Sequence, residues 1–211
     1  MESIERLEGG LAMYEDQDFR VFEDQTLPGR LGKIREQIDP KFMITVAALQ
    51  PVFATLAVPI YDHVSKHLRR TKNPPTDTWV AFSTSKRGYK MLPHLEIGFW
   101  DDRFFIWLAV LQEAKNRQAL LSSLKEDLVM TLPSDFECGS DHTDKNSGVP
   151  LTREAYQALM ATQTDRHAEW QVGRQFHRGD AFFTLTPEDQ AATIREIVTA
   201  LLPVYDQLIR I

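Results

Sequence analysis

A chain of 211 residues, 43% of them hydrophobic, is long enough to bury a core of its own, and a net charge of −6 with an isoelectric point near 5.5 speaks against nonspecific nucleic-acid binding. Cys138 is the only cysteine, so no internal disulfide can form. The opening MESIERLEGG is acidic where a secretory signal would be basic and then apolar, which points to a cytoplasmic location.

Residues 1–25 carry no clear period and are read as irregular. Leu31 to Leu49 reads as helix, with Pro40 restarting it, because proline suits a first helical turn. The run from Phe42 to Tyr61 holds no charged residue and has the length of a membrane span. Gln50, Pro51 and Pro59 argue instead for a buried helix pair broken near Pro51, and no membrane partner is expected. A second helix is predicted from Val52 or Pro59 through Arg70, stopped by Asn73, Pro74 and Pro75.

Beyond that stop the period becomes two. Thr78–Phe82 reads as a strand, and Ser83–Gly88 as a turn. His94–Trp100 and Arg103–Val110 form the clearest hairpin, turning at Asp101 and Asp102 and pairing Ile97 with Ile106. That register puts Leu95, Ile97, Phe99, Phe104, Ile106 and Leu108 on one apolar face. The opposite face carries His94, Glu96, Gly98, Trp100, Arg103, Phe105, Trp107 and Ala109, either a second core layer or the floor of a cleft opened by Gly98 and Ala109.

One helix is predicted after the hairpin, with Leu120, Leu121, Leu124 and Leu128 at helical spacing, followed by a turn-rich loop from Pro133 to Gly148 with one short strand. A helix capped by Thr152, a strand from Trp170 to Arg178 and a C-terminal helix capped by Thr186 complete the chain. Without a βαβ rhythm, linker or repeat, the fold class is α+β: a single domain with a mostly antiparallel sheet and a central hairpin (about 93–110) packed against several helices. A doubly wound α/β fold is the lesser possibility.

The positive charge is concentrated. Between His63 and Lys90 stand Lys66, Arg69, Arg70, Lys72, Lys86, Arg87 and Lys90, against Asp77 alone. On the predicted helix His63, Lys66 and Arg70 share one edge, with His67 nearer the core, and their mutual repulsion asks for an outside anion. The bland alternative is a solvated face paired with acids from elsewhere. His63 and His67 have the four-residue spacing of a shared cation, with His142 and Glu96 as further ligands, but Lys66 and Arg70 would repel a divalent ion. No metal and no cofactor is therefore expected. Acid–base chemistry would fall to His94, Glu96 and His142, the first two ~7 Å apart along one strand. No GxSxG, Walker or GxGxxG motif supports a nucleophile or nucleotide loop.

The run HVSKHLRRTKNPPTDTWVAFSTSKRGYKMLPHLEIGFW, His63 to Trp100, resembles the signature region of the YktB-like family of uncharacterised bacterial proteins, and LPSDFECGSDHT, Leu132 to Thr143, is similar to that family's second characteristic stretch. The resemblance implies a compact cytosolic α+β domain from a low-GC Gram-positive type of bacterium and implies no activity. It groups His63, Lys66, His67, Arg70, Lys86, Arg87, Tyr89, Lys90 and His94 with Asp141, His142 and Thr143, among others. The sequence departs from the family pattern at Leu95 and Glu96, where an aromatic and an amide are expected, which puts in doubt any mechanism that needs the Glu96 carboxylate.

Two functions from different classes follow. One is a binding module for a phosphorylated or otherwise anionic ligand, held by His63, Lys66, His67, Arg70, Lys86, Arg87 and Lys90, with Tyr89 or Trp79 as a stacking face. Single-stranded nucleic acid is a less favoured version of it. The alternative is a hydrolase or transferase using His94 or His142 for proton transfer.

Overall fold

The computed structural model describes residues 13–210. Seven strands form one antiparallel sheet in the order β1-β2-β3-β4-β7-β5-β6, namely β1 Tyr61–Val64, β2 Asp77–Ser83, β3 His94–Trp100, β4 Arg103–Val110, β5 Glu137–Gly139, β6 Val149–Pro150 and β7 Trp170–His177. The helices are α1 Leu27–Lys33, α2 Asp39–Phe53, α3 Arg117–Ser123, α4 Glu126–Val129, α5 Arg153–Ala161 and α6 Pro187–Ile209. This is an α+β single domain.

The hairpin adopts the register that its alternation dictates, Ile97 opposite Ile106 and Phe99 opposite Phe104. Leu95, Ile97, Phe99, Phe104, Ile106 and Leu108 are all fully buried. Their face meets α2 and α6, which bring Phe42, Leu49, Val198, Leu201 and Tyr205 into the same core. Each such large side chain stabilises the fold by about 1.5–3 kcal/mol on removal from water. Lys41 of α2 forms a buried ion pair with Asp18, 2.8 Å long, tying the 3-10 helix Asp16–Glu23 to this layer. Of the segment read as irregular, residues 1–12 lie outside the described range, and Asp16–Glu23 is helical.

Local signals mark the later helices correctly. Thr152 accepts from Ala155 N at the start of α5, and Thr186 accepts from Asp189 N at the start of α6, where Pro187 opens the helix. Pro203 sits inside α6 without ending it. Thr186→Ala removes the cap and is expected to cost about 1 kcal/mol, lowering the thermal midpoint by roughly 2–4 °C. An unchanged melting curve would deny the cap that role.

Three expectations are corrected. The helix predicted from Val52 or Pro59 through Arg70 does not form: α2 ends at Phe53, with Pro51 in its last turn, and the chain enters β1 at Tyr61 before a loop through Arg70. Pro59 cannot continue a helix, whereas Tyr61–Val64 satisfies its backbone by pairing with β2. The single helix expected after the hairpin is two, α3 and α4, parted where Leu124 turns extended at φ −71°, ψ 123°. Gly98 leaves no empty floor: a Cβ there would lie 2.6 Å from Phe105 Cζ and from Trp79 Cβ, so its missing side chain lets those rings converge. Among the described residues, no helix is long and apolar enough to cross a membrane.

Candidate functional site

Helices cover one face of the sheet, and loops cover the other. The pairing runs one row across this second face, His63, Ala81, Glu96, Trp107, Gly173 and Glu137, with Trp79, Gly98, Phe105 and Gln175 in the next. Trp100, Phe105 and Trp107 make a small aromatic cluster here, with Trp79 against it, separate from the main core. Two segments close over the face, residues 85–92 and 140–148. The second is anchored by Arg103, which donates to Lys145 O at 2.6 Å and Asn146 Oδ1 at 3.0 Å, and by Gln171 Nε2, which donates to Asp141 O at 3.2 Å.

Between the loop after β1 and the 85–92 segment lies an open cleft of about 1210 Å³. Lys66, His67, Arg69, Arg70, Arg87, Tyr89, Lys90 and Lys115 line it together with Trp79. The chain reaches it through His67, whose φ of 49° is left-handed, and a turn closed by Arg70 N donating to His67 O. None of its six lysines and arginines forms an ion pair among the described residues. Leu68 and Met91 stand exposed beside them.

The two histidines of the basic run have scaffold contacts. His63 Nε2 donates to Ser85 O at 2.8 Å, and its ring rests against Tyr89, so it braces the turn and does not line the cleft. Lys86 also lies outside the lining, with its ammonium 5.2 Å from the Tyr61 ring centre. His67 Nε2 meets the Ser65 and Thr78 hydroxyls at 3.2 and 3.3 Å. Burial, then the charges of Arg70 and Arg35, pushes its pKa down to about 4, so it is neutral in the cleft. The shared helix edge of His63, Lys66 and Arg70, and the helical spacing behind a His63–His67 metal pair, go with the helix that did not form; Lys66 and Arg70 still meet in the cleft.

Trp79 also lines a second, much smaller pocket of about 10 Å³, room for one water-sized group. Its indole Nε1 donates to Tyr89 Oη at 2.8 Å. The pocket is lined by Asp77, Glu96 and His142, with Trp79, Trp100, Phe105 and Trp107 as its aromatic walls. His142 donates from its backbone N (2.8 Å) and from Nδ1 (2.6 Å) to Glu169 Oε2, which leaves Nε2 without a partner among the described residues. Burial disfavours the charged imidazole, but the Glu169 hydrogen bond and the charges of Glu96 and Glu169 outweigh it and raise the His142 pKa.

Glu96 and His94 are not held apart by the strand. Their side chains converge to 3.1 Å between Nε2 and Oε1. His94 Nδ1 faces the Leu92 carbonyl at 2.7 Å and must donate to it, so the contact with Glu96 needs a further proton on Nε2 or on the carboxyl. Burial pushes the Glu96 carboxyl up, but the hydrogen bond and charge of His94, with those of His142 and Lys90, hold it below the usual range. His94 is fully buried behind Glu96, with both ring nitrogens engaged, while Glu96 and His142 reach the pocket itself.

Two members of this site escape the sequence reading. Glu169 sits 27 positions from His142, with no spacing rule to join them. Asp77 was legible only as an acid among cations, although continuing the strand alternation from Trp79 puts it on the same face. Burial, with the charge of Glu96 added, pushes its pKa up to about 6, against the pull of Arg70 and His142. As a metal centre, Asp141, His142 and Glu169 bring three ligand atoms within 4.8 Å of one another, but Glu169 Oε2 already accepts from the backbone N and Nδ1 of His142.

A family model described as a domain of unknown function (DUF1054) matches residues 14–205, which take in the whole sheet and both covering loops. A UPF0637 protein of Levilactobacillus brevis is 73% identical over 197 residues, covering 93% of this chain and 99% of its own length. Another, from Lacticaseibacillus casei, is 41% identical over 201 residues, 95% of this chain and 99% of its own. A third, from Shouchella clausii, is 36% identical over 192 residues, 89% and 90% of the two lengths. The likeness first carried by His63–Trp100 and Leu132–Thr143 thus extends along nearly the whole chain, which belongs to the DUF1054 family and, with these bacterial UPF0637 relatives, fits the YktB-like group.

Proposed function

We propose that the protein binds a phosphorylated or comparably anionic ligand in the cleft between the loop after β1 and the 85–92 segment. One observation carries this reading: six lysines and arginines from three separate stretches of chain line one cleft, and none has a carboxylate partner among the described residues. Gathering like charges without compensation is unfavourable, and a bound anion removes the repulsion while gaining charge-assisted hydrogen bonds. Arg70 and Arg87 offer planar forks, Lys66 and Lys90 point charges, which together suit a phosphate. Tyr89 and Trp79 supply an aromatic flank.

Single-stranded nucleic acid fits less well. Its recognition needs open rings for successive bases. Trp100, Phe105 and Trp107 are 7%, 4% and 5% exposed beneath the 140–148 loop. Catalysis has one observation in its favour, the His142 imidazole oriented by Glu169 with Nε2 free, but the pocket beside it holds a single small group and no room for a scissile centre.

The test is a titration with sodium pyrophosphate followed by the protein's tryptophan fluorescence, to which Trp79 in the cleft wall contributes, beside a titration with an oligothymidylate. Saturable quenching by pyrophosphate is expected, with the oligonucleotide losing most of its affinity between about 50 and 200 mM salt. Absence of a saturable response to pyrophosphate would overturn the proposal. Tight oligonucleotide binding that resists salt would replace it with a base-reading surface.

A further inference from the structure

We infer that the ligand is dipolar: the pocket behind Trp79 takes a primary ammonium group, while the ligand's phosphate lies in the basic cleft. The inference rests on the cleft reading above and specifies its ligand class, a short amine-bearing phosphate.

Glu96 points to it first. The residue is 5% exposed, gives Oε1 to His94 and leaves Oε2 without a hydrogen-bond partner, while the side chain lines the pocket. That oxygen is accessible from the pocket, where a donor can reach it. Asp77, at the same pocket, has no side-chain hydrogen bond or ion pair among the described residues and no cation of its own. Asp141 and Asp144 line the same pocket, while the basic groups nearby are already engaged, the Lys145 ammonium by Asp101 and Asp102 and the His142 imidazole by Glu169. The pocket is therefore left with a negative surplus.

The walls select the kind of cation. Trp79, Trp100, Phe105 and Trp107 line the pocket, and aromatic faces attract an organic ammonium through their quadrupoles. Size decides the rest, because a volume of about 10 Å³ admits a primary ammonium, comparable to one water, and excludes a trimethylammonium head or a nucleobase.

The two compartments act on each other. Arg70 of the cleft exerts its charge on Asp77, and Lys90 on Glu96 and His142. Trp79 lines both sides. A molecule with an ammonium at one end and a phosphate a few bonds away would satisfy the surplus of each sign across this one side chain.

Phosphoethanolamine, glycerol 1-phosphate and phosphocholine separate the possibilities when titrated against the full chain by calorimetry. Phosphoethanolamine is expected to bind roughly tenfold more tightly than glycerol phosphate, which lacks the amine, and phosphocholine no more tightly than glycerol phosphate. Glu96→Gln and, independently, Asp77→Asn should bring the phosphoethanolamine affinity down towards that of glycerol phosphate, so misfolding of one variant leaves the other as a probe. Equal affinity of the native protein for phosphoethanolamine and glycerol phosphate would overturn the ammonium pocket while sparing the cleft. Failure of every phosphate to bind would overturn both.

Discussion

Gly173→Ala is expected to destabilise the fold by about 3 kcal/mol or more, seen as a lower denaturant midpoint in urea. A Cβ on Gly173 would stand 1.9 Å from the Ile106 carbonyl oxygen and 2.8 Å from Trp107 Cε3. Neither atom can yield cheaply, because Ile106 O belongs to the β4 backbone and the Trp107 ring is wedged over the sheet. That ring also lies 3.4 Å, at Cη2, from where a Cβ on Gly148 would sit. Trp107 is thus pinned between β7 and the 140–148 loop, and displacing it would spoil the pocket wall as well as the sheet. Gly32→Ala in α1 is the internal comparison: nothing lies within 4 Å of its added Cβ, and alanine there should stabilise by roughly 0.5–1 kcal/mol. Equal midpoints for the two variants would show that β4 and β7 do not approach so closely.

The contrast between these glycines also explains what was legible beforehand. The β3–β4 hairpin could be read because its two strands are adjacent in sequence and each specifies both faces; once Asp101 and Asp102 are the turn, the register has no freedom left. Thr152 and Thr186 were legible for the same local reason, since a cap is decided within four residues. β1 was not, because Ile60, Val64 and Leu68 repeat every four positions, a spacing that a helix of period 3.6 and a strand of period two accommodate alike. What decides between them is the open edge of β2, which lies beyond any local window. The candidate site suffered the same way. Five of the cations clustered in sequence, Lys66, Arg69, Arg70, Arg87 and Lys90, line one cleft while Lys72 and Lys86 do not, and the helical edge assigned to them was wrong. The partition by Trp79, the pairing of His142 with Glu169 and the closing of His94 onto Glu96 depend on strand neighbours and loop anchors set by the whole sheet.

Reversing charge on both sides of the cleft gives the largest expected functional effect. Arg70→Glu with Lys90→Glu should weaken pyrophosphate binding by about a hundredfold or more, since each charge-assisted contact contributes roughly 1.5–3 kcal/mol and 1.4 kcal/mol is a factor of ten. The added carboxylates repel the ligand as well, so the loss should exceed that of an alanine pair. Lys125→Glu, on an exposed lysine that adjoins α6 on the helical side, controls for overall charge and should change affinity less than threefold at about 0.15 M salt, where remote charges are screened. Stability distinguishes this account from a structural ion-pair network. Neither Arg70 nor Lys90 forms an ion pair among the described residues, so the double variant should unfold close to the native temperature, because reversal relieves repulsion with Lys66, Arg69 and Arg87 while giving up the longer-range attraction of Arg70 for Asp77 and of Lys90 for Glu96. A lower melting temperature with undiminished pyrophosphate affinity would mean that these cations hold the loops together and that the anion binds elsewhere.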